Sequence, residues 1–344
     1  MNTRIDDIGS FPLPPFIDRK SFNKAYVLAR EAIINGKDVR KDEFLQNNFY
    51  QIVIDSFRKK ISTGLDVVTY PQHYDMHEQF IHAIHKAMDN GTYVVDEKQA
   101  IIPEVYVIEQ EARRFYEETR KELQLRVCVT GPMELYLKEI GTTLYKDVLL
   151  MFAETVRRFA KNSVLNSKYL KTEVVSLDEP SFGFQDISAD RDVILDVLEK
   201  AFNFNGVAKQ IHLHSASKVA EILPVKNVDA LSFEYAASPK NIEGISRSML
   251  EKANKQIRVG ISRTDIDSIM AELYDKGITK PEMEQLVESE EIIRQRFVTA
   301  KEKYGNMMTF TGPDCGLGGW PTQEAALILL KRTVNAVKSA TINL

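Results

Sequence analysis

The stretch KQIHLHSASKVAEIL (209–223) joins a strand pattern directly to a helical pattern. In KQIHLH, side chains two positions apart lie on one side of a strand, so His212 and His214 share a direction that Leu213 does not. SASKVAEIL then predicts a short helix. A strand that leads into a helix is the repeating unit of a parallel sheet covered by helices.

The same unit recurs along the chain. Eight strand patterns, each followed by a helix, predict an α/β fold that is a single (β/α)8 TIM barrel, with one domain over residues 1–344. Residues 90–107 do not fit a helix, and the Asn90-Gly91 turn predicts a β-hairpin inserted after the second strand. The strands are predicted at 4–11, 65–71, 126–132, 173–180, 209–214, 228–234, 257–262 and 307–316.

Composition excludes several classes of protein. The 45 Lys and Arg residues against 49 Asp and Glu form no basic stripe, which argues against a nucleic-acid partner. Because no apolar run approaches about 20 residues and the N-terminus lacks an apolar signal core, we expect a soluble cytoplasmic protein without a membrane partner. The two cysteines cannot build a disulfide framework, so each is a buried thiol, a ligand or a nucleophile.

Polar residues collect where the predicted strands end. In a barrel of this kind the chemistry lies at the carboxyl ends of the strands, because the loops there converge. The residues at these ends are Gly9-Ser10, Thr130-Gly131, Asp178-Glu179-Pro180, His212 and His214, Glu234, Asp265 and Asp267, and Asp314-Cys315.

The two histidines after the fifth strand are candidate metal ligands. His212 and His214 share a direction, and Glu234 and Cys315 at later strand ends complete a set of four. Nitrogen, oxygen and thiolate ligands together favour zinc over magnesium or calcium. The spacing of the histidines alone leaves open a second interpretation, in which both are hydrogen-bonded residues without a metal.

Other residues have equally open interpretations. Asp178 and Glu179 suit a substrate ammonium group, and an acid-acid-proline sequence is also an ordinary entry to a helix. Gly9-Ser10 offers backbone N–H groups to a carboxylate, as many Gly-Ser turns do. Four histidines, His73, His77, His82 and His85, have helical spacings but no evident carboxylate or cysteine partner, which favours packing or surface roles.

Eight stretches in this order carry a family resemblance: DDIGSFP (6–12), GLDVVTYPQHYDM (64–76), VTGPMELY (129–136), SLDEPSFG (176–183), HLH (212–214), DALSFEYA (229–236), VGISRTDIDS (259–268) and GPDCGLGGWPTQEAAL (312–327). Together they resemble the catalytic C-terminal half of cobalamin-independent methionine synthase, and more closely its short single-barrel archaeal and bacterial relatives. The last stretch is the most specific, and the resemblance spans nearly the whole chain.

The resemblance implies a barrel with zinc at its mouth and methyl transfer to the thiol of homocysteine or a similar small thiol. It assigns His212, Glu234 and Cys315 as zinc ligands, with His214 in the place of the family's usual cysteine. It assigns Gly9, Ser10 and Asp178, with Glu179 beside it, to homocysteine. Zinc coordination deprotonates a thiol, and the resulting thiolate attacks the methyl group.

Three departures from the family bear on the reaction. His214 replaces a cysteine. Asp265 and Asp267 stand where folate-using members have Asp-x-His, and an aspartic acid of ordinary pKa, about 4, is a poor catalytic acid at neutral pH. Tyr70 or Gln72 occupies the region of a substrate-binding glutamate.

The implied methyl donor is methylcobalamin or a corrinoid protein, which needs no proton on its leaving group, or a methyl-tetrahydropterin. The alternatives are alkyl transfer to another thiol such as coenzyme M, and a non-catalytic relative that binds a thiol or a corrinoid protein.

Overall fold

Eight parallel strands form one sheet in the computed structural model, which describes residues 3–342. The first two and last two residues of the predicted 1–344 domain lie outside the described residues. A parallel bridge between Asp6 and Val67 joins the segments next to β1 and β2, so the two ends of the sheet meet. In spatial order β1-β8-β7-β6-β5-β4-β3-β2, the strands are β1 (Arg4–Ile5), β8 (Met308–Pro313), β7 (Gln256–Ser262), β6 (Ala230–Phe233), β5 (Ala208–Leu213), β4 (Leu170–Asp178), β3 (Leu123–Thr130) and β2 (Val68–Thr69).

The helices follow the strands along the chain and pack outside the sheet. None of the helices within residues 3–342 is long and apolar enough to cross a membrane. The α-helices are α1 (Arg19–Ile34), α2 (Glu43–Leu45), α3 (Gln51–Ile61), α4 (Glu78–Met88), α5 (Pro103–Thr119), α6 (Pro132–Glu139), α7 (Lys146–Asn162), α8 (Arg191–Ala201), α9 (Val219–Ile222), α10 (Lys240–Gly244), α11 (Arg247–Ala253), α12 (Ile266–Asp275), α13 (Glu290–Tyr304) and α14 (Gln323–Ile342).

The predicted β-hairpin at 90–107 is wrong. Residues 92–102 contain neither strand nor helix, and α5 begins at Pro103. Side chains of α7 bind the backbone that a hairpin would pair: the Thr155 hydroxyl donates to the Tyr93 carbonyl at 2.8 Å and accepts from the Val95 N–H at 2.9 Å. Arg158 donates to the Val95 carbonyl at 2.8 Å. These contacts hold the segment against α7 in an irregular conformation.

The first two strands are shorter than predicted because carboxylates take the place of strand partners. The Ile5 N–H donates to the Asp66 carboxylate at 2.8 Å, and the Thr69 N–H donates to the Asp7 carboxylate at 2.9 Å. Asp7 also forms an ion pair with the buried Lys60 ammonium at 2.7 Å. Side-chain bonds therefore complete the join between the first two strands.

The barrel interior contains an inner charged layer, defined here as Asp6, Arg126, Gln210 and Arg258. Arg126, Gln210 and Arg258 lie on β3, β5 and β7, and Asp6 directly follows β1, so alternate strands supply the layer. The Asp6 carboxylate binds Arg126 at 2.8 Å and Arg258 at 2.6 Å, and all three charged side chains are 0% exposed. Arg126 also donates to the Gln210 side-chain oxygen at 2.5 Å. The layer thus ties four parts of the sheet together.

Candidate metal centre

Four predicted ligands converge at the carboxyl ends of three strands. His212 is near the end of β5 and His214 follows it, Glu234 follows β6, and Cys315 follows β8. One ligand atom from each residue lies within 4.8 Å of every other. The His214 Nε2 atom is 3.4 Å from the Cys315 Sγ atom and 3.4 Å from a Glu234 oxygen. The structure therefore brings together all four residues, which are far apart in sequence.

His212 has one bonded and one free ring nitrogen. Its Nδ1 atom is 3.0 Å from the Ser232 hydroxyl, and its buried Nε2 atom has no hydrogen-bond partner among the described residues. A metal-binding histidine typically donates its other N–H to a neighbouring acceptor, which sets the tautomer and leaves a lone pair for the metal. The Ser232 hydroxyl is placed to accept a hydrogen bond from Nδ1–H of His212, and in that tautomer the Nε2 lone pair is free for a metal.

Burial shifts the pKa of every member of the cluster towards its neutral form. It lowers the pKa of His212 well below 6.5 and lowers that of His214. It raises the pKa of Glu234 to about 8, with Asp314 and Asp265 adding to the effect, and raises that of the Cys315 thiol. A divalent cation bound here would reverse the shifts of the carboxylate and the thiol. Two imidazoles, a carboxylate and a thiol fit a tetrahedral zinc ion.

Two buried residues hold the segments that carry the ligands. Asp314, whose pKa burial raises to about 6, accepts the N–H groups of three successive residues after Glu234, the nearest at 2.6 Å. The Asn241 side chain donates to the carbonyls of His214 and Glu234 at 2.7 and 2.9 Å. Asn241 thus bonds the backbone of two ligands at once, and nothing in its local sequence indicates this.

A cavity of about 420 Å³ opens beside the cluster. Four predicted substrate-binding residues, Gly9, Ser10, Gln72 and Asp178, line it together with His212, His214 and Cys315. Gly9 has φ of +61°, and a Cβ there would lie 3.2 Å from the Gln72 side-chain oxygen, so glycine suits this position. Burial raises the pKa of Asp178 to about 6, and Ser176 donates to its carboxylate at 2.7 Å.

Two other predicted substrate-binding residues lie outside the cavity lining. Tyr70 is 0% exposed, and its hydroxyl donates to the Cys128 carbonyl at 2.7 Å, which packs the side chain between strands. The Glu179 carboxylate accepts the N–H groups of Met133 and Glu134 at 3.0 and 2.7 Å and so binds the N-terminus of α6. Both side chains therefore form hydrogen bonds to the backbone of other residues.

The two predicted catalytic acids also lie outside the cavity lining. Asp265 is the N-cap residue of α12 and forms an ion pair with Arg263 at 2.7 Å. Asp267 lies exposed in the first turn of the same helix. Acidic residues are favoured at both positions because the N-terminus of a helix carries partial positive charge. Three residues, 263–265, connect the end of β7 to the start of α12 at Ile266, so Asp265 ends this short connection and Asp267 lies within the helix.

Three of the four remaining histidines have bonds that the sequence did not indicate. His73 is buried, with its ring nitrogens 2.9 Å from the Phe11 carbonyl and 2.9 Å from the Ser56 hydroxyl. His77 and His85 lie 2.9 Å from carboxylates of α6, which are Glu134 and Glu139. The structure thus supplies carboxylate partners for His77 and His85, whereas the buried Nε2 atom of His82 has no hydrogen-bond partner among the described residues.

Comparison with known proteins gives a structural match only. No family model and no curated protein sequence matches the chain. Among solved structures, a B12-independent methionine synthase from Shewanella sp. W3-18-1, in complex with selenomethionine, matches with a TM-score of 0.62 at 14% identity over 100% of both chains. An endo-beta-1,4-mannanase from Thermotoga petrophila matches with a TM-score of 0.42 at 11% identity, over 83% of this chain and 73% of that one. The chain therefore shares the α/β fold of the Shewanella methionine synthase, with its eight parallel strands curled into one sheet.

Proposed function

We propose that this protein is a zinc-dependent methyltransferase that moves a methyl group to a small thiol. The thiol that we propose is homocysteine, and the product would be methionine. One observation carries the proposal: four metal-binding side chains converge beside a cavity, with the buried His212 Nε2 atom free to bind. The resemblance of the sequence motifs and the fold shared with the Shewanella enzyme both support it.

His212, His214, Glu234 and Cys315 would hold the zinc ion. When bound, zinc would lower the pKa of the substrate thiol and stabilise the nucleophilic thiolate. Asn241 and Asp314 fix the backbone that carries three of these ligands, so the ligand set is organised before the ion binds.

Asp178 is the residue that would bind the ammonium group of an amino-acid thiol. It lies on the cavity wall, and a carboxyl group of pKa about 6 is ionised at neutral pH. Ser10 connects two walls of the cavity: its hydroxyl accepts the Gly318 N–H at 3.1 Å and its carbonyl accepts the Leu317 N–H at 2.6 Å. These bonds hold the loop after β1 against the loop after β8.

Two classes of methyl donor fit this site. In a methyl-corrinoid the cobalt keeps the electron pair of the broken bond, and no acid is required. In a methyl-tetrahydropterin the departing nitrogen requires a proton. The positions of Asp265 and Asp267 outside the cavity lining support the corrinoid. We propose that this chemistry occurs on one barrel domain over residues 1–344, in the cytoplasm.

Zinc analysis and a donor assay test the proposal. We expect about one zinc per chain after zinc supplementation, and methionine from homocysteine with methylcobalamin or methyl-tetrahydrofolate. Coenzyme M as acceptor tests the alternative thiol. Zinc well below one per chain would contradict the enzymatic proposal and leave a non-catalytic binding protein.

A further inference from the structure

A second cavity, of about 630 Å³, lies among the helices outside the sheet. Helices α1 and α4 and the irregular segment before α5 form most of its wall, and α7 contributes one arginine. We call it the outer cavity and define it by Val27, Arg30, His82, Ala87, Val94 and Arg158. Within residues 3–342, no residue lines both this cavity and the one beside the candidate metal centre. The outer cavity is therefore a separate feature of the fold.

Arg30 is a buried cation in this wall, and it has no ion pair among the described residues. It is only 6% exposed, its Nη2 atom donates to the Gln99 carbonyl at 2.5 Å, and its buried Nε atom has no hydrogen-bond partner. The guanidinium lies over the Phe159 ring, with 5.5 Å between Cζ and the ring centroid. Glu31, the next residue of α1, is itself paired with Lys86 at 2.7 Å. Because a guanidinium keeps its charge and a buried charge is costly without a partner, Arg30 favours an anion in the cavity.

His82 supplies a second unpaired group to the same cavity. The residue is half-buried, and its buried Nε2 atom has no hydrogen-bond partner in the described part of the chain. Burial lowers the pKa of His82, and the charges of Lys86 and Arg30 lower it further, so the imidazole is neutral at neutral pH. A neutral imidazole can carry its proton on Nε2 and donate one hydrogen bond. Arg30 and His82 thus offer N–H groups from two helices that share this cavity.

The remaining charges of the wall limit the charge of a ligand. Arg158 binds Glu154 at 3.0 Å, and Lys86 is paired as described above, so neither cation lacks a carboxylate. The exposed Asp96 also lines the cavity and would repel further negative charge. Arg30 is therefore the cation that a ligand would neutralise, and a single negative charge is sufficient.

The shape of the guanidinium and the apolar wall define the rest of the ligand. A planar guanidinium matches a carboxylate, which carries one charge, whereas a phosphate group carries between one and two charges at neutral pH. Val27, Ala83, Ala87 and Val94 bring apolar side chains from both helices and the irregular segment to the cavity. Apolar side chains favour an apolar body next to the charged group.

We propose that the outer cavity is a binding site for a small monocarboxylate with an apolar body. The carboxylate would bind Arg30 and His82, and the apolar body would contact the valine and alanine side chains of the wall. This site goes beyond the proposed methyl transfer and does not rest on it, because the two cavities have no lining residue in common within residues 3–342.

Calorimetric titration of the full chain with hexanoate tests the site. Hexanoate combines one carboxylate with an apolar body, so we expect about one molecule bound per chain, with a dissociation constant on the order of 1 mM or lower. 1-Hexanol lacks the charge and inorganic phosphate lacks the apolar body, so each should bind at least about 10-fold more weakly. Equal binding of 1-hexanol would show that the cavity does not recognise an anion. Equal binding of phosphate would show a general anion site, and either result would overturn the proposal.

Substitution of Arg30 locates the binding. Arg30→Met removes the guanidinium and keeps an unbranched side chain beside Phe159, so the affinity for hexanoate should fall by about 10- to 100-fold. Arg113→Met is the control, since Arg113 is exposed on α5 in an ion pair with Glu117, and its affinity should equal that of the wild type. Unchanged affinity in Arg30→Met would place any binding elsewhere and overturn the proposal.

His82→Ala provides a second test that does not depend on a buried charge. The His82 side chain has no hydrogen bond to lose at Nε2, so the variant should fold, and the affinity for hexanoate should fall by about 3- to 10-fold. His85→Ala, on an exposed residue of the same helix, is the control and should bind as the wild type does. Unchanged affinity in His82→Ala, or a wild-type protein that does not bind hexanoate, would overturn the proposal. Zinc analysis of the same samples reports separately on the proposed function, because no residue of the candidate metal centre lines the outer cavity.

Discussion

Two groups of polar side chains lie at different depths of the same barrel. In the inner charged layer, opposite charges pair with each other: one carboxylate binds two guanidinium groups, and all three are 0% exposed. In the candidate metal centre the neighbouring groups are alike: imidazole, carboxylate and thiol atoms, each able to donate an electron pair, lie within 4.8 Å of one another. Gln210 of the layer precedes His212 of the cluster by two residues on β5.

This difference distinguishes charged side chains that stabilise the fold from side chains that are placed to bind a ligand. In a set of opposite charges the groups pair with one another, and the intact set stabilises the fold. A set of electron-pair donors with one free nitrogen is satisfied only by something bound to it. We expect substitutions in the layer to change the free energy of unfolding, and substitutions in the cluster to change metal content and activity.

The largest effect is expected from Cys315→Ala. Loss of a thiolate leaves three ligands, so zinc content should fall well below one per chain and methyl transfer should fall by about 10³ or more. Metal analysis and the methionine assay measure both. The urea midpoint of the metal-free protein should stay close to that of the metal-free wild type. A large shift of that midpoint would mean that the cluster is also structural.

The next effect is expected from Asp6→Asn in the inner charged layer. It leaves Arg126 and Arg258 buried without their carboxylate, which should cost about 3–5 kcal/mol in the free energy of unfolding. Urea denaturation measures the loss, and Asp196→Asn in an exposed ion pair with Lys146 is the control, expected to cost no more than about 1 kcal/mol. The folded fraction of Asp6→Asn should still hold zinc. Loss of zinc from folded protein would show that the two groups are coupled.

A smaller effect is expected from Asn241→Ala, which touches no metal ligand atom. It removes the bonds to the carbonyls of His214 and Glu234, so the ligands should be less well placed and zinc affinity should fall by about 10- to 100-fold. Competition with a chelator measures the affinity. Asn335→Ala, which loses only an exposed bond to Glu290, is the control. An unchanged affinity would mean that the backbone is fixed without Asn241.

Strand positions and strand ends were predictable from the sequence. The alternation along β5 and the ends of β6 and β8 predicted that His212, His214, Glu234 and Cys315 converge, because the carboxyl ends of parallel strands meet at one edge of the sheet. The resemblance added Gln72, which lines the cavity. These predictions depend on the alternation of side chains along each strand and on the arrangement of the strands in one parallel sheet. Sequence patterns indicate both.

Other features depend on contacts between distant residues and had no local signal. The segment before α5 is irregular because α7 side chains bind its backbone, although its Asn90-Gly91 pair is typical of a hairpin. Tyr70 faces the Cys128 carbonyl, and Glu179 binds the N-terminus of α6. His77 lacked an evident partner because Glu134 is 57 residues away.

The smallest effect is expected from Asp267→Asn. The family resemblance makes this residue a candidate acid, whereas the structure gives it an exposed position in the first turn of α12, where a carboxylate contributes only about 0.3–1 kcal/mol through the partial charge of the helix. We therefore expect zinc content and the methyl-transfer rate from either donor to stay close to wild type. A fall in the methyl-tetrahydrofolate rate alone for Asp267→Asn would place the acid in the segment after β7 and require α12 to shift when the donor binds.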